Sequence, residues 1–260
     1  MSAPSSCLIE REGPLLWITI NRPAAMNALD PPAHRELAAA FDAFTADGDL
    51  RVAIITGAGD RAFCVGSDLK ARARTNPDHQ PPTGFAGLTH RFDLLKPVIA
   101  AVNGLALGGG VEIIAACDLA IAADHAEFAL PEARVGLAAL GGGGLQRLAR
   151  ALPLKHAMDL VLTGRRVSAA EAKLMGLING VVPKAELKER ARALAETVLA
   201  GAPLALQASK QVMLRSLDTP DLEAAIRATY PAAERMLASD DAKEGQRAFA
   251  EKRKPRWQGR

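Results

Sequence analysis

Apolar and β-branched runs alternate with stretches of helical periodicity along most of the chain. LLWITI (Leu15 to Ile20) and VAIIT (Val52 to Thr56) are bounded by Gly, Pro and Asn, and between them AHRELAAAFDAF returns apolar residues at helical spacing. The pattern predicts strand, helix, strand. VIAAV (Val98 to Val102), DLAIAA (Asp118 to Ala123), EFAL (Glu127 to Leu130) and INGVV (Ile178 to Val182) read as further strands, with helices after Gly108, after Gly144 and from Ser168. Such alternation implies an α/β fold with a parallel sheet covered by helices, and ligands that gather at the carboxyl ends of its strands. From about Lys184 onward the periodicity is helical only. The expected organisation is an α/β core over residues 1–200 and a C-terminal helical region over residues 201–260, the change falling near Pro183 to Leu204.

Arg72 to Gly87 (RARTNPDHQPPTGFAG) is polar, Pro-rich and without periodicity, and reads as a functional loop or lid, or as a plain insertion. Pro97 to Ala123 is long and apolar enough to raise a membrane span, but Asn103, Glu112, Asp118 and four glycines interrupt it, and a buried strand, turn and helix explain it better. Composition narrows the classes further. With 32 Lys and Arg against 29 Asp and Glu, the net charge of +3 builds no field for a polyanion, and ten aromatics are few for stacking bases, so no nucleic acid partner is expected. Cys7, Cys64 and Cys117 are far apart, odd in number and outside any C-x-x-C spacing; they read as buried small residues in a reducing compartment, with no structural metal. The N-terminus carries neither a secretory nor a transit pattern, which points to a cytoplasmic protein.

Motif by motif, G-x-x-x-x-G-K-[ST], G-x-S-x-G and H-E-x-x-H are absent, and the five histidines are scattered. Two glycine-bearing turns each follow a strand: RAFCVGSDLK (Arg61 to Lys70) and NGLALGGGVE (Asn103 to Glu112). Either alone is explained by tight packing. Together, each followed by an acid and a helical pattern, they suit two backbone N–H donors aimed at one oxygen. Glu112 sits among apolar neighbours in GGGVEIIAACDLAIA, so its carboxylate is either paired or functional, because burying a lone charge is costly. Glu132, after Pro131, suits the first turn of a helix whether or not it does chemistry.

The ordered set NRPAAMNALD, AIITGAGDRAFCVGSDLK, PVIAAVNGLALGGGVEIIAACDLAIAA, FALPEARVGLAALGGGGLQRL, LTGRRVSAAEAKLMGLINGVV and EGQRAFAEKRKPRW resembles the enoyl-CoA hydratase/isomerase (crotonase) family over nearly the whole chain. The stretches TGFAGLTHRFDLLKPV and PEARVGLAALGGG further resemble crotonobetainyl-CoA (carnityl-CoA) hydratase-like members. The resemblance implies a crotonase fold of repeated ββα units with a C-terminal helical trimerisation region. It implies an acyl-CoA thioester as substrate, with coenzyme A arriving as part of it and no separate cofactor or metal, and an assembly of three or six copies.

Residue by residue, the resemblance assigns the thioester oxygen to the backbone N–H groups of Val65 and Gly109. Val65 departs from the small residue common there, but only its amide is required. Both hydratase carboxylates have counterparts, Glu112 and Glu132. The implied division of labour has Glu112 bind and activate the water and Glu132 exchange the Cα proton. Val65, Gly66, Ser67 and Asp68 would line the CoA portion, with Lys252 near its phosphates, although the basic run KRKPRWQGR reads equally as a solvated tail. The Lys common after NRP is absent, leaving Arg22 to compensate or that phosphate contact to be missing. The implied reaction is reversible hydration of a trans-2-enoyl-CoA. Isomerisation, carnityl-CoA dehydration or racemisation, and thioester hydrolysis are the alternatives on the same scaffold, and the acyl group is not legible.

Overall fold

The structure, a computed structural model, describes residues 5–72 and 80–260. Residues 73–79, in the first half of the Arg72 to Gly87 segment read as a functional loop or lid or as a plain insertion, lie outside the described residues. The strands run in chain order as β1 (Cys7–Glu12), β2 (Leu15–Ile20), β3 (Val52–Gly57), β4 (Ala62–Cys64), β5 (Val98–Val102), β6 (Leu105–Leu107), β7 (Leu119–Ala123), β8 (Glu127–Ala129), β9 (Val167–Ser168) and β10 (Gly180–Val182). The helices are α1 (Pro31–Ala46), α2 (Leu69–Arg72), α3 (Gly109–Ala116), α4 (Gly144–Ala151), α5 (Leu154–Thr163), α6 (Ala169–Met175), α7 (Leu187–Leu199), α8 (Pro203–Ser216), α9 (Leu222–Arg227), α10 (Pro231–Leu237) and α11 (Asp240–Ala250).

The alternation predicted one parallel sheet, whereas the strands form two. The larger sheet has the order β1-β2-β3-β5-β7-β10, antiparallel only at the β1/β2 hairpin, and the smaller has β4-β6-β8-β9, parallel from β4 to β8. EFAL, read as continuing the main sheet, supplies β8 of the smaller one. Each central strand of the large sheet is followed closely by a short strand of the small one: β3 by β4, β5 by β6, β7 by β8. This is the repeated ββα arrangement. It leaves β5 buried at all five positions, which is why VIAAV is a continuous apolar run rather than an alternating one.

Helix α1 begins where the sequence signals a start. Asp30 accepts a hydrogen bond from the Ala33 N–H at 3.0 Å, and Pro31 and Pro32 occupy first-turn positions where no amide partner is needed. Its buried face of Ala33, Leu37, Phe41 and Phe44 has the spacing expected of an amphipathic helix. The polar segment ahead of β5 also differs from the expected loop: Phe85, Ala86 and Gly87 form a fully buried 3-10 turn. The reason is a contact with a distant segment, since the Phe85 ring lies so close to Gly109 that a Cβ there would meet it at 2.4 Å.

Packing divides the chain into two compact units, one of residues 1–91 and 98–195, the other of residues 92–97 and 196–260. In the second, DLEAAIRATYPAAERMLAS, part of the helical periodicity that follows Lys184, divides into α9 and α10. Pro231 cannot continue an incoming helix, so Tyr230 is extended and a new helix starts at Pro231. Gln211 accepts from the Ala232 N–H at 2.8 Å, joining α8 to α10.

The last residues are not a solvated tail. Glu244 of α11 takes the Arg253 guanidinium at 2.6 Å and the Arg256 N–H at 2.9 Å, the buried Asp241 carboxylate accepts from the N–H groups of Gln258 and Gly259, and the Trp257 indole donates to the Ala200 carbonyl. Lys252 is exposed, on a left-handed turn just after α11.

Among the described residues, no helix is long and apolar enough to cross a membrane. No disulfide joins the three cysteines; Cys7 and Cys64 are buried and Cys117 half-buried, and burial pushes the Cys7 and Cys64 thiols up to about 12.

Candidate active site

The three short strands β4, β6 and β8 are neighbours in one parallel sheet, and the proposed chemistry follows their carboxyl ends in turn. Val65 follows β4, Gly109 and Glu112 follow β6 on the first turn of α3, and Glu132 follows β8 in a 3-10 turn over Pro131–Val135. Residues distant in the chain thus emerge side by side at a single sheet end, where ligands of α/β proteins collect.

The two glycine turns touch. Gly66 takes a positive φ of 92°, and a Cβ there would stand 3.2 Å from the Gly109 amide nitrogen. A Cβ on Gly110 would lie 2.0 Å from the Cys64 carbonyl oxygen, so only glycine permits this approach of α3 to β4. Gly109 heads α3, leaving its N–H without a partner inside the helix, and the macrodipole adds partial positive charge there. An oxygen that accumulates negative charge is suited to that position.

Glu112 is 3% exposed, and its Oε1 accepts the N–H groups of Gly142 at 2.9 Å and Gly144 at 3.0 Å. The run of four glycines, Gly141 to Gly144, therefore wraps this carboxylate: a Cβ at Gly142 would meet Glu112 Oε2 at 2.8 Å. Buried and twice hydrogen-bonded, Glu112 is held in one orientation. The Glu132 carboxyl lies against the other turn, its Oε1 at 2.6 Å from where a Cβ on Gly108 would be. Its Oε2 is buried with no hydrogen-bond partner among the described residues. Burial raises the Glu132 carboxyl above its ordinary value, and the Glu112 charge adds to the rise. Two carboxyls at adjacent strand ends are thus differentiated, one hydrogen-bonded and oriented, the other inclined to hold a proton.

Around Val65 the wall is braced from two sides. Asp68 caps α2 by accepting from the N–H groups of Lys70 and Ala71 at 3.1 Å, and it takes Arg22 Nη2 at 3.1 Å. Burial pushes the Asp68 carboxyl up, but the Ala71 amide and Arg22 outweigh it and leave it below its ordinary value. Arg22 is occupied by Asp30 at 2.8 Å, by Asp68 and by the Ala28 carbonyl. The structure therefore gives Arg22 a bracing role within this corner. Ser67 forms a bridge to Leu29, which anchors the same segment. Lys252 belongs to the second unit and the other residues here to the first.

Two asparagines that the motifs did not single out position the site from beneath. Asn27, fully buried at a positive φ of 56°, donates to the carbonyls of Ala58 at 3.0 Å and Ala62 at 2.8 Å, and accepts from the Arg22 N–H. Asn103 accepts from the Gly57 N–H at 3.0 Å and donates to Gly59 and Ala62 carbonyls. Both clamp Ala62, the first residue of the strand that carries Val65. A polar residue inside an otherwise apolar run, as in AVNGLAL, was the available signal.

Comparisons with known proteins bear on the family and the fold. Residues 10–260 match the family model described as enoyl-CoA hydratase/isomerase. The chain is 46% identical over 260 residues to a carnitinyl-CoA dehydratase of Salmonella typhi, covering 97% of this chain and 98% of that protein, and 48% identical over 262 residues to one of Salmonella arizonae, covering 98% of each. Among solved structures it resembles an enoyl-CoA hydratase from Mycobacterium tuberculosis H37Rv, with a TM-score of 0.93 at 41% identity over 99% of this chain and all of that one. It also resembles a carnitinyl-CoA hydratase from Mycobacterium avium, with a TM-score of 0.78 at 44% identity over 99% of this chain and 100% of the other. Two sheets built from alternating strands, glycine turns that meet at one strand end and a match across almost the whole length lead to one conclusion: the chain belongs to the enoyl-CoA hydratase/isomerase family and has the crotonase fold.

Proposed function

We propose that this protein is a hydro-lyase that adds water to, or removes it from, the Cα–Cβ bond of an acyl-CoA thioester, with carnitinyl-CoA and its dehydrated product crotonobetainyl-CoA as the leading substrate pair. The names of the curated relatives support the acyl group. One observation carries the reaction type: Glu112 and Glu132 stand at the ends of adjacent strands in different environments, beside the turns of Gly66 and Gly109.

In this reading the thioester oxygen accepts from the Val65 and Gly109 N–H groups, which stabilise the enolate as it forms; each donor of this kind is worth about 2.7 to 4 kcal/mol. For hydration, Glu112 orients the water through the oxygen that Gly142 and Gly144 leave open and takes its proton as oxygen adds to Cβ. Glu132, kept protonated more readily by its burial, delivers the proton to Cα. Dehydration reverses both transfers. Val65 to Asp68 flank the CoA portion. A generic enoyl-CoA hydratase acting on straight acyl chains is the second reading, favoured by the similarity to the M. tuberculosis enzyme.

The test is hydration followed by loss of the enoyl-thioester absorbance. Glu112→Gln lowers kcat by about 10²- to 10⁴-fold, and hydration at the wild-type rate would overturn the two-carboxyl mechanism. A panel of crotonyl-CoA, longer enoyl-CoA thioesters and crotonobetainyl-CoA separates the two substrate readings: kcat/KM highest for the trimethylammonium compound supports the first, and highest for straight chains supports the second.

A further inference from the structure

Arg147 projects from the first turn of α4 and connects two segments that approach the site from different parts of the chain. Its Nη1 donates to the Gly142 carbonyl at 3.0 Å and its Nη2 to the Thr89 carbonyl at 2.6 Å. Gly142 is therefore held at both polar atoms, its carbonyl by Arg147 and its N–H by Glu112 Oε1. Thr89 in turn closes the buried turn whose Phe85 ring lies on Gly109, its N–H donating to the Phe85 carbonyl at 3.2 Å. The guanidinium thus ties the loop that orients the carboxylate to the turn that covers the head of α3. Burial lowers the Arg147 pKa while the Glu112 charge opposes that shift, so the two charges lie within electrostatic reach. A planar fork matches two carbonyls in separate segments, which a single ammonium cannot do with the same geometry.

We propose that Arg147 is a positioning residue for Glu112: by pinning the Gly142 carbonyl to the Thr89 segment it sets the direction of the two amides that aim the carboxylate. The inference rests on Glu112 being the working carboxylate.

Arg147→Ala, Arg147→Lys, Glu112→Gln and the Arg147→Ala/Glu112→Gln double variant, all in the full chain, are compared by enoyl-thioester hydration. Misaiming a reactive group costs turnover rather than CoA affinity, so Arg147→Ala lowers kcat by about 10- to 100-fold with KM within about threefold of wild type. Arg147→Lys, which keeps the charge without the fork, falls in between. Added methylguanidinium restores part of the activity of Arg147→Ala and none of that of Glu112→Gln, and the double variant is no slower than Glu112→Gln alone. Wild-type kcat in Arg147→Ala beside an inactive Glu112→Gln overturns the positioning role alone. So does a loss that is not rescued and multiplies with that of Glu112→Gln. Full hydration by Glu112→Gln overturns the reading of the site and this role with it. Should Arg147→Ala not fold, Arg147→Lys decides: reduced kcat at unchanged KM supports the role, and wild-type kcat overturns it.

Discussion

The buried Oε2 of Glu132, without a hydrogen-bond partner among the described residues, is a local cost to the fold. Its carboxyl binds a proton more readily in the folded chain than in the unfolded one, so the folded state holds more protons through that range. Stability contributed by this group is therefore full at low pH and declines as pH rises past the ordinary value of 4.5. Glu132→Gln removes the cost of ionising the buried group: the variant melts higher than wild type at pH 8, and the difference closes as pH falls below 4.5. A thermal-melting series across that interval checks it, and an unchanged gap at all pH values would assign the effect to packing.

At the scale of elements, the braces under β4 and the fastening of the C-terminus make separate claims. Asn103 satisfies the Gly57 N–H and the Gly59 and Ala62 carbonyls with one side chain. Asn103→Ala removes its bonds to the Gly57 N–H and the Gly59 carbonyl, while the Ala62 carbonyl keeps Asn27; the loss costs about 1 to 3 kcal/mol, measurable as a lower urea midpoint with an unchanged slope. In the second unit, hydrogen bonds from Arg253 above all, then from the Arg256 N–H and Arg247, hold the Glu244 carboxyl well below the usual carboxylate range. A depressed carboxyl contributes stability above its unfolded pKa and loses it as pH falls through the folded value. Glu244→Gln removes that anchor at neutral pH, and amide hydrogen exchange at Arg256 to Gly259 accelerates in the variant. Unchanged protection there would show that Asp241 and Trp257 suffice. The same contacts explain why a basic run, alone in sequence, reads as solvated: its carboxylate partners lie a helix away.

For the molecule as a whole, the second unit leaves Met213, Leu217, Leu222, Ile226, Leu237 and Phe249 exposed, Phe249 at 87%. Apolar surface of this extent suits association between copies, and the expectation of three or six chains becomes a mass measurement. Light scattering coupled to size exclusion should give three or six times the chain mass. A monomer at micromolar concentration would leave those side chains without a covering partner and refute the assembly.

Element type and order were legible along the chain because they depend on neighbours a few residues apart. LLWITI and VIAAV are strands at the stated bounds, and Ser168 caps α6. The glycine turns and the anomaly of Glu112 were legible for the same reason, since a charge inside an apolar run conflicts with its own surroundings. Other features depend on pairing between distant segments, which local periodicity does not encode. The division into two sheets, the Gly142 and Gly144 amides on Glu112, the Asn27 and Asn103 clamps and the engagement of Arg22 by Asp30 and Asp68 all belong to that class. Residue types and their order along the chain nominated the chemistry. Which oxygen of Glu112 is bonded, and which oxygen of Glu132 is left unpaired, was decided only when β4, β6 and β8 were set side by side, because hydrogen bonding and desolvation act across space.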